Sequence, residues 1–166
     1  ASGEIDVMPG IWVRPYWFST IQMSAPYFTG TVGLVVRDER REEFADVDAL
    51  RRARNLKVGV PLDASQLAVS LQRYFGGSRV DVVTFGSTAD FFAKRPREID
   101  AFLTPAEGAA AFTLLHPEFT VVVPQPNPVK LPYAVGLAPD AERLADAVNE
   151  WIVFAQSEGA VTRAYN

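Results

Sequence analysis

From Leu56 onward, short apolar runs alternate strictly with segments of helical spacing, and the connections between them are short. Leu56 to Val60, Val80 to Phe85 and Ile99 to Leu103 each read as strands. Asp63 or Ser65 caps a helix carrying Leu67, Val69, Leu71 and Phe75, which Gly76-Gly77 stops. Ser87 caps a second through about Lys94, and Pro105 opens a third that ends near Leu115. Consecutive parallel strands need such crossovers, and the crossovers are right-handed. The expected architecture is therefore α/β: a mainly parallel sheet with helices on both faces.

The flanks extend this pattern. Phe28 to Val36 reads as a long strand. Asp46 precedes a short helix at Val47 to Ala53, whose acidic start and basic end suit the helix macrodipole. Phe119 to Val123 is a further strand. Pro124 to Pro132 holds four prolines and reads as a semi-rigid connector into a strand at Tyr133 to Leu137. Pro139-Asp140 starts an amphipathic helix with Leu144, Val148, Trp151 and Ile152 on one stripe, and Gly159 separates it from a last short helix.

With 166 residues, 48% of them hydrophobic, the chain can bury a sizeable core. Sixteen basic against 20 acidic residues leave no positive surplus for a phosphate backbone, which argues against nucleic acid. The cluster Arg51, Arg52 and Arg54 reads as a solvated helix face. No apolar run approaches the roughly 20 residues that cross a bilayer. The absence of cysteine excludes disulfides and thiolate metal sites but fits either redox compartment. Gly3 to Val7 reads as the middle of a domain, so a chain continuing upstream is expected.

Glu-Ile-Asp occurs twice, at Glu4 to Asp6 and Glu98 to Asp100, each time opening a short apolar run that Pro or Thr-Pro closes. The echo suggests two lobes. Ligands of open α/β sheets sit beyond the carboxyl ends of the strands, which directs attention to residues just after Met8 and Leu103. After Met8 come Gly10, Trp12, Arg14 and Trp17; after Leu103 comes Thr104. The aromatics Trp12, Trp17 and Tyr27 serve either as a cleft wall against a ligand or as packing between elements.

In order along the chain, Gly3-Glu4-Ile5-Asp6, Ser24-Ala25-Pro26-Tyr27, Gly33-Leu34-Val35-Val36-Arg37, Lys57-Val58-Gly59-Val60, Ile99-Asp100-Ala101 and Leu144 to Trp151 with Val148-Asn149 resemble the periplasmic solute-binding proteins that bind polar amino acids. Residues Asn149 to Ile152 and Gly159 to Asn166 are also similar to a subset associated with sodium:dicarboxylate symporters. The resemblance implies a type 2 periplasmic-binding-protein fold with a complete second lobe and a partial first one. Residues 1–33 would be the end of lobe one and the first hinge strand, and residues 34–129 lobe two. Residues 130–166 would be the return hinge strand and the C-terminal helices on lobe one. It further implies a small-molecule ligand, a membrane permease or symporter as partner, monomeric action in the binding step, and a periplasmic or extracytoplasmic setting, free or membrane-tethered. The implied ligand-binding residues are Gly10, Trp12, Arg14 and Trp17 from lobe one and Asp63, Ser65 and Thr104 from lobe two.

Three departures bear on the ligand. The family's carboxylate-clamping Arg lies six residues before its Phe-Ser-x-Pro-Tyr motif, where this chain has Trp17; Arg14 stands three residues earlier. The family's Gly-Thr-Thr loop becomes Asp63-Ala64-Ser65, with one hydroxyl and an added negative charge that fits a helix cap. The family's Asp for the ligand's α-ammonium falls at Pro105. A buried ammonium without a counter-charge would cost several kcal/mol, so a small organic acid or other polar solute is expected rather than a standard α-amino acid.

Catalytic patterns are poor. His116, the one histidine, precedes Pro117 at a helix end, where a last-turn carbonyl accounts for it. There is no HExxH, GxSxG, GxGxxG or Walker pattern, so no metal or cofactor is expected. The leading expectation is a non-enzymatic solute-binding domain for transmembrane uptake. The alternatives are a ligand-sensing extracytoplasmic domain of a membrane-bound signalling protein and an enzyme on this fold, which would need a carboxylate pair facing the cleft.

Overall fold

The computed structural model describes residues 6–13, 18–62, 67–76 and 79–165. The chain falls into two compact units, Thr31–Lys130 and the pair of segments Ala1–Gly30 and Leu131–Asn166.

The continuous unit holds most of β3 (Phe28–Arg37), a 3-10 helix (Asp38–Phe44), α1 (Val47–Arg52), β4 (Arg54–Pro61), α2 (Leu67–Phe75), β5 (Arg79–Phe85), α3 (Thr88–Lys94), β6 (Ala101–Pro105), α4 (Ala106–Thr113) and β7 (Phe119–Val122). β4 pairs in parallel with β5 and with β6. β3 lies between β6 and β7 and is antiparallel to both, Val35 opposing Phe102 and Val121. Four of these strands therefore share one direction, as the alternation of strand and helix demands, and β3 alone runs against them.

Side chains alternate across a strand, so neighbours bury themselves on opposite faces. Val35 and Phe102 join Phe85, Phe91, Phe92, Ile99 and Phe119 in one aromatic cluster with α3 and α4. Leu34 and Leu103, one residue away on the same strands, are fully buried too. Both faces of the sheet are covered. The Phe91 ring stacks on Phe102 with centroids 4.4 Å apart, and Phe85 meets Phe102 edge-on at 5.7 Å. Gly59 on β4 makes room for this cluster: a Cβ there would lie 2.8 Å from Phe102 Cδ2 and 2.9 Å from Phe85 Cε2.

Local signals act as the sequence reading expects. Asp46 caps α1 by accepting from Ala49 N at 2.7 Å, and Ser87 Oγ caps α3 by accepting from Asp90 N at 3.1 Å. Asp46→Ala should lower the stability of this unit by about 1 kcal/mol; a chemical-denaturation midpoint equal to that of the parent would contradict it. β6 begins at Ala101 rather than Ile99. Asp100 takes the Lys57 amide at 2.8 Å and Arg40 Nη1 at 2.6 Å, which ties down the approach to the strand. Arg40, held by Glu43 and by Asp100, stays protonated well above the usual arginine range.

The discontinuous unit contains β1 (Val7–Trp12), β2 (Gln22–Met23), most of β8 (Lys130–Leu137), α5 (Glu142–Ser157) and α6 (Ala160–Tyr165). β1 and β2 are both antiparallel to β8. The pairing of β1 with β8 shifts between Met8 and Ile11, where Gly10 has a φ of +78°, a left-handed conformation that glycine adopts without strain.

The Ser24 to Tyr27 segment is a hydrogen-bonding hub. Ser24 bonds to the Val135 backbone twice, its side-chain Oγ accepting from Val135 N at 2.9 Å while its own backbone N–H donates to Val135 O at 2.9 Å. Asn149 Oδ1 accepts from Ala25 N at 2.7 Å, and Gln156 Nε2 donates to Tyr27 O at 3.3 Å. The α5 face in contact is thus Ala145, Asn149, Ile152 and Gln156, with Ala145, Ile152 and Ala155 buried. Two residues of the expected apolar stripe depart from it: Leu144 is 38% and Trp151 62% exposed. The half-buried Asn149 and the exposed Gln156 reach the backbone of the Ser24 segment from beside the buried row Ala145, Ile152 and Ala155.

Candidate functional site

In the continuous unit, the carboxyl ends of the parallel strands gather Leu62, Gly86, Ser87, Thr88, Thr104 and Pro105 at one sheet edge, where open α/β sheets take their ligands. Thr104 is 2% exposed, and its Oγ1 lies 3.2 Å from Thr88 Oγ1. Its hydroxyl is therefore committed to Thr88, which is only half-buried. Thr88 is the residue that sequence reasoning missed; its place directly after the Ser87 cap, at the end of a strand, was the available signal.

The neighbouring loop is held by Asp90. One carboxylate oxygen accepts from Lys94 Nζ at 3.0 Å and from Gly86 N at 3.1 Å, and these two bonds keep the Asp90 carboxyl below its usual range. Next to Thr104, Pro105 leaves the first turn of α4 without a side-chain cap. The backbone N–H groups of that turn are the donors an anion would meet. Glu107 Oε1 accepts from Thr31 N at 2.8 Å, and Lys130 Nζ donates to Thr31 Oγ1 at 3.2 Å. The Glu107 carboxylate and the Lys130 ammonium thus both bond to Thr31, one at its amide and one at its hydroxyl.

In the discontinuous unit, Gly10 and Trp12 belong to β1. Trp12 pairs in register with Tyr133 and meets its ring edge-on at 6.2 Å, while Phe28 packs against the same Tyr133 at 5.8 Å. Trp12 is half-buried within this aromatic group, so packing is part of its role. Arg14, Trp17, Asp63 and Ser65 lie outside the described residues.

His116 stacks its ring on Phe92 with centroids 5.0 Å apart. Its buried Nδ1 has no hydrogen-bond partner, so stacking rather than a side-chain bond to a carbonyl seats the ring. Among the described residues, no group of three or more His, Asp or Glu could hold a metal ion, and no helix is long and apolar enough to cross a membrane.

No protein-family model and no curated protein matches the chain. Solved structures do. The amino acid ABC transporter substrate-binding protein AbpA from Streptococcus pneumoniae, bound to L-arginine, superposes with a TM-score of 0.76 at 20% identity, covering 98% of this chain and 67% of that one. The GluR0 ligand-binding core in complex with L-glutamate gives 0.75 at 21%, over 98% of this chain and 72% of that one. The ancestral amino-acid-binding protein AncCDT-1, a precursor of cyclohexadienyl dehydratase, gives 0.72 at 20%, over 99% and 68%. The chain thus spans about two thirds of the length of these structures, and across that span it adopts the type 2 periplasmic-binding-protein fold.

Proposed function

We propose that the chain is the binding part of an extracytoplasmic solute-binding protein that captures a small organic acid or other polar solute and passes it to a membrane permease, without chemical change. The observation that carries this reading is the edge formed by Thr88, Thr104 and the uncapped start of α4, lying where strands of this fold present groups to a ligand. The fold likeness to amino-acid-binding proteins supports a binding role. Gly10, Trp12, Arg14 and Trp17 would contribute from the discontinuous unit, and Asp63, Ser65 and Thr104 from the continuous one. Thr104 acts there through Thr88.

The departure from an amino-acid ligand rests on Pro105. At the end of β6 it supplies no carboxylate for an ammonium, and the nearby Glu107 already accepts from the Thr31 amide. A thermal-shift screen of organic acids, amino acids and sugars tests the reading, since a ligand at 100 times its dissociation constant adds about 2.7 kcal/mol of stability. Organic acids should give the large shifts. Large shifts from α-amino acids alone would overturn the ligand class while leaving the binding role intact.

Symporter partnership and a signalling role remain proposals on the same fold. The chain attached to these residues discriminates between them: carrier-type membrane helices in the same protein would favour transport, and a helical linker into a kinase would favour sensing.

A further inference from the structure

Away from the strand ends, the continuous unit has a polar pocket of about 360 Å³ between α1, the end of α2 and the Pro126-Asn127 turn. That volume is within the range of small-molecule sites. Its wall is anchored. The turn is tied to the start of α1 by Val47 N to Gln125 O at 2.8 Å and by Gln125 N to Ala45 O at 2.9 Å. Asn127 completes it in a left-handed conformation, with φ of 63°, that asparagine tolerates.

Two arginines, Arg51 and Arg73, line this pocket against one acidic residue, Asp48. Arg51 Nη2 donates to Arg73 O at 3.0 Å, and Arg51 Nη1 stands 3.8 Å from Asp48 Oδ1. The Arg73 guanidinium has no hydrogen bond or ion pair among the described residues, and it lies close enough to lower the pKa of the Tyr74 phenol, against the larger upward push of burial. One Asp48 charge cannot balance two cations. The pocket is left with one unmatched positive charge, planar donor forks and the Asn127 amide.

We propose that this pocket binds a small oxyanion, phosphate or carboxylate in type, at a site separate from the strand-end edge. Guanidinium forks match the oxygens of such groups in pairs, and hydrogen bonds to charged partners exceed neutral ones in strength. The occupant would rest on Tyr74, whose hydroxyl donates to Val32 O at 2.9 Å and accepts from Val129 N at 3.0 Å. Binding there stabilises the place where the entering and leaving segments of this unit are joined.

Inorganic phosphate and citrate, each titrated at constant ionic strength against chloride, test the site through the melting midpoint of the protein. A saturable rise with either is expected. Arg73→Gln should weaken it on the order of tenfold or more, as loss of a charged hydrogen bond does, while Arg143→Gln on exposed α5, with the same change of charge, should leave it intact. Asp48→Asn should move it the other way and tighten binding. No rise with either anion, equal loss in both arginine variants, or weaker binding in Asp48→Asn would each overturn the proposal.

Discussion

Phe102→Ala is expected to lower the stability of the continuous unit by about 3–5 kcal/mol. Phe102 is fully buried, stacks on Phe91 at 4.4 Å and receives the edge of Phe85 at 5.7 Å. Removing the ring takes a large apolar group from the centre of a cluster built from four strands and two helices, and close-packed neighbours refill such a hole only in part. It also abolishes aromatic contacts worth more than their buried area. All three tryptophans lie outside residues 31–130, so tryptophan emission reports on the other unit. Hydrogen exchange of β4, β5 and β6 amides is the suitable measurement. A loss below about 1.5 kcal/mol would mean that the cluster collapses around the gap and is not the keystone described.

Tyr74→Phe keeps the ring and removes a single oxygen, yet a cost of about 1–3 kcal/mol is expected. That oxygen serves Val32 O and Val129 N together, and Val32 N also donates to Val129 O at 2.9 Å. Phenylalanine would leave a buried carbonyl and a buried amide short of partners, which is dearer than losing a bond from a solvated group. The hydroxyl also predicts a pH dependence. Burial raises the Tyr74 pKa above the ordinary value of 10.0, so its contribution is complete below about pH 10 and is lost as pH rises through the higher folded value. Tyr74 is the one tyrosine between residues 31 and 130. The alkaline decline in stability of that unit should therefore flatten in Tyr74→Phe. An unchanged alkaline slope together with unchanged stability would show that the bridge contributes nothing.

The elements legible in the sequence were those written in local chemistry. Asp46 and Ser87 announce their helices because a side-chain oxygen two or three residues from a free amide needs no distant partner. The run Leu56 to Val60 announces a strand that the structure buries at every residue but Lys57, whereas Val80 to Phe85, with Asp81 and Thr84 among its apolar residues, forms a strand that fully buries only Phe85. The segment Ser24 to Tyr27 was recognisable as a motif, but its work was not. Its partners Val135, Asn149 and Gln156 lie more than a hundred residues away, and only folding brings their amides and carbonyls to it.

The candidate site divides along the same line. Thr104 could be named from its place after an apolar run, whereas its bond to the half-buried Thr88 depends on how α3 and β6 meet. Arg51 reads in sequence as part of a solvated basic face, yet it reaches the Arg73 carbonyl 22 residues on and helps shape a pocket. On α5, 3.6-residue spacing marks several apolar stripes at once. Which one is buried was settled by small side chains fitting against the Ser24 segment, leaving Trp151 outside.

By itself, then, the chain's order of apolar runs, caps and breakers determined an α/β architecture with a mainly parallel sheet, because those signals act over a few residues and a right-handed crossover follows from chirality. Tertiary structure alone decided which polar groups face each other, since a hydrogen bond depends on tenths of an ångström between atoms that sequence separates by tens of residues.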